Sequence, residues 1–234
     1  MPTPEPPAER DLDRSLLSAV LAGVIVLSAM SGIIDASSYQ RFGVFVANQT
    51  GNLVIVALSL VSGEDSAQRD GSLVAVLSFT IGVFLAMYFR RFLERRLPGS
   101  RVQVMMIALE ALLIAIVAIG SVVFPPEQGT YTGIALLSLS QAVQALVLTR
   151  IAGVTVTTVV INTALVQSAN SLGRGLHLAA IVALGTPVGY LAGAFIGAIL
   201  LTISTTLPLF AALALGIVAM SFGPAMRRRG VTIE

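Results

Sequence analysis

Eight apolar stretches follow one another along this chain, and that succession restricts what it can fold into more than any single residue does. They fall at roughly 15–36, 44–61, 72–95, 102–124, 130–149, 153–170, 175–200 and 206–223. Runs of about 18 or more residues with few charges suit helices that cross a bilayer. A β-barrel would show alternation instead of continuous runs. Of the 234 residues, 56% are hydrophobic and 11% charged, with a mean hydropathy of +0.90; a soluble domain carries about twice that charge. The breaks between runs are polar or rich in proline and glycine: Gly63-Glu64-Asp65, Leu97-Pro98-Gly99, Phe124-Pro125-Pro126-Glu127 and Ser171-Leu172-Gly173-Arg174.

Composition excludes several chemistries. The chain has no cysteine and a single histidine, His177, which removes disulfides, thiolate nucleophiles and multi-histidine metal centres. No nucleophile elbow, phosphate loop or zinc motif is present, so no cofactor and no enzymatic activity are expected. The basic residues are 14 arginines and no lysine. They cluster at Arg90, Arg91, Arg95, Arg96 and Arg101 and at Arg227–Arg229, which marks a cytoplasmic membrane face and not nucleic-acid binding. The Pro-rich start, residues 1–14, reads as a disordered tail, and 226–234 as a basic cytoplasmic tail. Between them, 15–225 forms one transmembrane helical domain whose principal partner is the lipid bilayer.

Between the first two apolar runs lies a polar knot. Gly32-Ile-Ile-Asp35 is followed by Phe45-Val-Ala-Asn48-Gln49-Thr50-Gly51-Asn52. Acids and amides at bilayer depth are costly, and mark a task or a structural bond. Element six has a related order, Gly153-Val-Thr-Val-Thr157-Thr158 and then Asn162-Thr163. Both elements follow an arginine (Arg41, Arg150), begin with a β-branched stretch and become helical only after the polar groups. They lie about 110 residues apart, which suggests two repeats, about 15–124 and 130–224. If all eight elements crossed, the two arginine clusters would fall on opposite sides, against the positive-inside rule. If elements two and six are half-helices, both termini and both clusters are cytoplasmic. The acidic loops with Glu64, Asp65, Asp70 and Glu127 are then outside. The expected fold is therefore all-α and polytopic, with about six full transmembrane helices, two short or interrupted half-helices and an inverted repeat. Secondary transporters are built in this way.

The candidate substrate-binding residues are Asp35, Asn48, Gln49, Thr50, Gly51, Asn52, Glu110, Gln141, Asn162 and Thr163. The start of a half-helix presents amides suited to an anion or a carbonyl. Asp35 is either a buried proton carrier or a structural residue that pairs with Arg41 or caps a turn. Glu110 stands alone within the fourth run, where an intramembrane acid is functional by default. Gln141 and Gln144 share a helix face and join helices or contact a ligand. His177 reads as an interfacial anchor. The series Gly185, Gly189, Gly193, Gly197 is a repeated small-xxx-small face for tight packing, within the chain or in a homo-oligomer.

The stretches Gly32-Ile-Ile-Asp35-Ala-Ser-Ser-Tyr and Phe45-Val-Ala-Asn-Gln-Thr-Gly-Asn52 resemble the YoaK-like family of bacterial inner-membrane proteins, a domain-of-unknown-function family. The resemblance extends over residues 10–229. It implies a multi-pass protein of the bacterial cytoplasmic membrane and supplies no substrate. The second repeat departs from the Thr-Gly-Asn form, with Ile161-Asn162-Thr163 in its place. The leading functional expectation is a small-solute secondary transporter or permease. The alternative is a non-transporting membrane scaffold that oligomerises through the glycine face.

Overall fold

The polar residues after Asp35 do not stop the first helix, which in the computed structural model runs without interruption from Arg14 to Phe42 (α1). The structure describes residues 14–63, 66–124, 129–147, 150–151, 154–155, 158 and 161–222. The expected terminal tails, Arg227–Arg229, and the acids Glu64, Asp65 and Glu127 lie outside the described residues, as does Thr157. After α1 come α2 (Gln49–Ser62), α3 (Ser66–Glu94), α4 (Gly99–Val123) and α5 (Thr130–Gln144). A two-stranded turn follows, with β1 (Arg150–Ile151) antiparallel to β2 (Val154–Thr155). The chain then forms α6 (Ile161–Gly173), α7 (His177–Leu201) and α8 (Leu207–Met220).

Four of these helices are long and apolar enough to span a bilayer: Leu17–Phe42, Ser66–Glu94, Gly99–Val123 and His177–Leu201. The apolar pattern predicts six. The shortfall lies in α5 and α8, whose 15 and 14 residues make rods of about 21–23 Å, shorter than a ~30 Å hydrocarbon core. The α2 and α6 helices, with 14 and 13 residues, are of half-span length. Each starts later than the apolar pattern suggests, because the β-branched residues before it are extended or paired as strand. Large apolar side chains such as Leu58, Val61, Leu191, Phe195 and Ile203 are exposed. An aqueous surface would not tolerate so wide an apolar girdle. The outward face is therefore built for lipid.

The heart of the bundle is α1 against α7. Gly185, Gly189, Gly193 and Gly197 are all buried and meet α1 in ascending order at Leu21, Ile25, Ala29 and Ile33. The two helices are therefore parallel, with backbone against backbone, as small-residue faces allow. The glycine face thus packs within the chain, covered by α1. A similar contact joins α3 to α5, where Gly82 meets Leu139 and Ala142, and Gly71 meets Ile134. These helices too are parallel. Opposite polarity relates α1 to α5, since Leu27 and Ser31 bond to Gln144 and Gln141. The remaining packing joins α2 to α3, α6 to α7, α4 to α5, α1 to α8, α4 to α8 and, more weakly, α3 to α4 and α7 to α8.

The segment holding α2 enters and leaves the bundle at one end. Gln68, at the start of α3, donates its side-chain amide to the carbonyl of Gly43 at 2.8 Å, directly after α1. Between these points the chain runs back along α1: Phe45 stacks on Tyr39 with centroids 4.6 Å apart, and Val46 and Ala47 reach Asp35. From there α2 returns outward.

Candidate functional site

Asp35 is 1% exposed and saturated by its own chain. Its Oδ1 accepts the backbone N–H groups of Val46 and Ala47, each at 2.7 Å. Its Oδ2 accepts the hydroxyl of Tyr190 on α7 at 2.6 Å. The sequence predicts a cradle for an anion or a carbonyl at the amides near Asn48–Gly51; Val46 and Ala47, just ahead of them, give their N–H groups to this carboxylate. Of the structural alternatives for Asp35, bonding to the backbone of a turn is found and pairing with Arg41 is not. Arg41 donates to Ser121 Oγ at 2.7 Å and lies over the ring of Phe42.

The neighbouring amides complete the knot. Asn52 is fully buried, accepts the N–H of Phe45 at 3.0 Å, and donates to the Phe45 carbonyl and to Gln49 Oε1. Gln49 in turn donates to the carbonyl of Val46 at 2.7 Å. Thr50 donates to Asn48 Oδ1, and this pair is exposed. Gly51 has no side chain because a Cβ there would stand 2.9 Å from the Phe45 ring. Buried non-helical backbone must find partners inside the protein, and Asp35, Gln49 and Asn52 supply them for 45–47. Removing one donor should be measurable: Tyr190→Phe is expected to destabilise the solubilised protein by about 1–2 kcal/mol, read as a lowered thermal midpoint.

A second polar layer begins one turn down α1. Leu27, Ser31 and Asp35 recur every four residues and so form one stripe. Ser31 donates to Gln141 Oε1 at 2.7 Å, and Gln144 donates to the Leu27 carbonyl at 2.6 Å. Among the described residues, Gln141 Nε2 and Gln144 Oε1 have no further partner. Glu110 on α4 is 0% exposed, and neither of its carboxyl oxygens has a hydrogen-bond partner among the described residues. Its neighbour Ala111 and Met30 of α1 both approach Gly216 of α8. Met30 lies between Leu27 and Ser31, so this contact sets the Ala111 turn of α4 near the glutamine-bonded level of α1.

The remaining candidates separate from these layers. Asn162 and Thr163 are exposed at the start of α6 and do not join the Asp35 knot. Thr158 just before them is buried, with its hydroxyl unpartnered among the described residues. Ser168 bonds to the carbonyl of Ala180 at 3.2 Å. In that α6–α7 hairpin the first residue of α6 lies about two turns further, level with the middle of α7. Tyr190 is the residue that the sequence did not single out. Its one local signal is a lone aromatic hydroxyl between Gly189 and Gly193, on the helix whose glycines bring it against α1.

A lipid-facing apolar girdle, long apolar helices and polar groups turned inward define an integral, multi-pass helical membrane protein. Residues 23–221 match the family described as protein of unknown function (DUF1275). The chain belongs to this family, which is the YoaK-like one. Neither a curated protein nor a solved structure matches it.

Proposed function

We propose that this protein is a small-solute secondary transporter of the bacterial cytoplasmic membrane, not an enzyme, with both termini cytoplasmic and two inverted four-element repeats. The packing supports the repeat. Exchanging α1 with α5, α2 with α6, α3 with α7 and α4 with α8 turns every helix pair named above into another pair that also packs. The close approach of Gly82 to Ala142 and that of Gly193 to α1 near Gly32 correspond at an offset of about 110 residues. The antiparallel course of α1 and α5 supports inversion. Arg90–Arg101, Arg174 and His177 share the end where α1 begins, as a cytoplasmic face would require. Half-helices that start near mid-depth on opposite halves are the usual frame of a transport site.

One observation carries the functional reading: Glu110 is wholly buried and its carboxyl oxygens are unpartnered among the described residues. A group without partners in a packed interior costs about 1–3 kcal/mol or more, so a purely structural core would do better with leucine. Gln141 Nε2 and Gln144 Oε1 are likewise buried and unpartnered among the described residues. This layer suits a proton or a small polar solute held between the halves. The test uses Glu110→Leu and Glu110→Gln in proteoliposomes that trap a pH-sensitive dye, challenged with a panel of small solutes. Both variants are expected to keep or raise the thermal midpoint and to lose solute-driven pH change. Unaltered flux in both variants would sink the assignment of Glu110. The packing of the glycine face on α1 favours this reading over a scaffold that oligomerises through that face.

A further inference from the structure

At the end of the bundle away from the arginine-rich loop, the last turns of α1 and α4 and the first turn of α5 enclose a cavity of about 350 Å³. Its polar wall is Arg41 with Ser121, Thr130 and Thr132, and its apolar wall includes Val117 and Leu136. A wider opening of about 790 Å³ shares Arg41, Phe42, Thr130 and Thr132 and leads to the surface beside Gln68 and Tyr131. The cavity has the size of an ordinary small-molecule site.

Arg41 is what makes it selective. The guanidinium is partly buried, and among the described residues its hydrogen bond goes to the Ser121 hydroxyl. The ion pairs among the described residues are Arg69 with Asp70 and Arg90 with Glu94; neither involves Arg41. The carboxylate nearest in sequence, Asp35, is fully engaged by Val46, Ala47 and Tyr190. A guanidinium presents five N–H donors in a fork that matches a carboxylate, so most of this one's capacity is left for a ligand. The positive end of α5, which starts at the cavity wall, adds to its field.

We propose that this cavity binds a small organic carboxylate, its charge on Arg41 and its apolar body against Val117 and Leu136. A bare inorganic oxyanion would leave the apolar wall unfilled, and a neutral solute would leave the guanidinium without a counter-charge. The proposal names the solute class of the transporter and rests on that reading only for what binding is for.

The experiment is a thermal-unfolding titration of the full chain in a neutral detergent free of added lipid, with benzoate, methyl benzoate and sulfate as probes. Benzoate is expected to raise the midpoint saturably, as mass action requires of a ligand for the folded state. Methyl benzoate and sulfate should leave it unchanged. Arg41→Gln should weaken benzoate binding at least tenfold. Val117→Phe, which fills the apolar wall and leaves Arg41 in place, should weaken it similarly even if Arg41→Gln does not fold. Equal shifts in wild type and both variants, a response to sulfate alone, or no response to benzoate would overturn the site. A response to sulfate alone would instead indicate a lipid-phosphate anchor. Saturable binding without flux in proteoliposomes would keep the site and sink the transporter reading; flux that survives both variants would do the reverse.

Discussion

Asp35→Ala is expected to unfold the entry to α2 and to cost the protein most of its stability, while Asp35→Asn keeps the fold. The alanine leaves the N–H groups of Val46 and Ala47 and the Tyr190 hydroxyl without acceptors in a dry interior. Each such donor costs about 1–3 kcal/mol when it is buried and left unsatisfied. The asparagine still offers one oxygen to both backbone donors, and its amide can donate to the Tyr190 oxygen. Thermal midpoints should therefore fall in the order wild type, Asp35→Asn, Asp35→Ala. A Val46→Cys substitution, at a position buried in the native chain, reports the same event locally. The introduced thiol should resist a water-soluble thiol reagent in the wild-type background and react in the Asp35→Ala background. A thiol that stays unreactive in both backgrounds would mean that the knot does not depend on Asp35.

The contrast between Asp35 and Glu110 explains what can and cannot be read from the chain. Both are acids in apolar runs, and residue type alone assigns both to a site. Asp35 is bonded to backbone 11 and 12 residues ahead and to a tyrosine 155 residues away. The first pairing is local, and the extended Val44–Ala47 stretch hints at it. The second depends on how α7 packs, which no periodicity reveals. Glu110 finds no such partner among the described residues, so the same reading survives for it. The order of residues along the chain pairs Asn162 and Thr163 with the first knot. They lie exposed at the start of α6, which the likeness in residue order does not reveal. Hydropathy also marks apolar residues without their backbone: Ala145–Val147 is apolar yet leaves α5 in a turn, and Arg150–Ile151 pairs with Val154–Thr155 as strand.

Gly193→Leu is expected to prevent the folded bundle from forming, and Gly193→Ala to cost on the order of 3 kcal/mol or more. A Cβ at this position would overlap the Ala29 carbonyl and stand 2.6 Å from Ala29 Cα. The obstacle is backbone, which cannot rotate away as a side chain can. The helices would have to separate, and α7 carries the Tyr190 hydroxyl that holds Asp35. The damage should thus spread from the α1–α7 seam to the knot at the head of α2. Two companions grade the effect. Gly197→Ala meets Ile33 Cα at 3.1 Å and should lower the thermal midpoint only slightly. Gly173→Ala, with nothing within 4 Å, should leave it unchanged or raise it by stiffening the last turn of α6. If the glycines served a second copy instead, Gly193→Leu would yield a stable monomer with an intact knot. That outcome would show α1 and α7 to be separable, and would return the glycine face to intermolecular use.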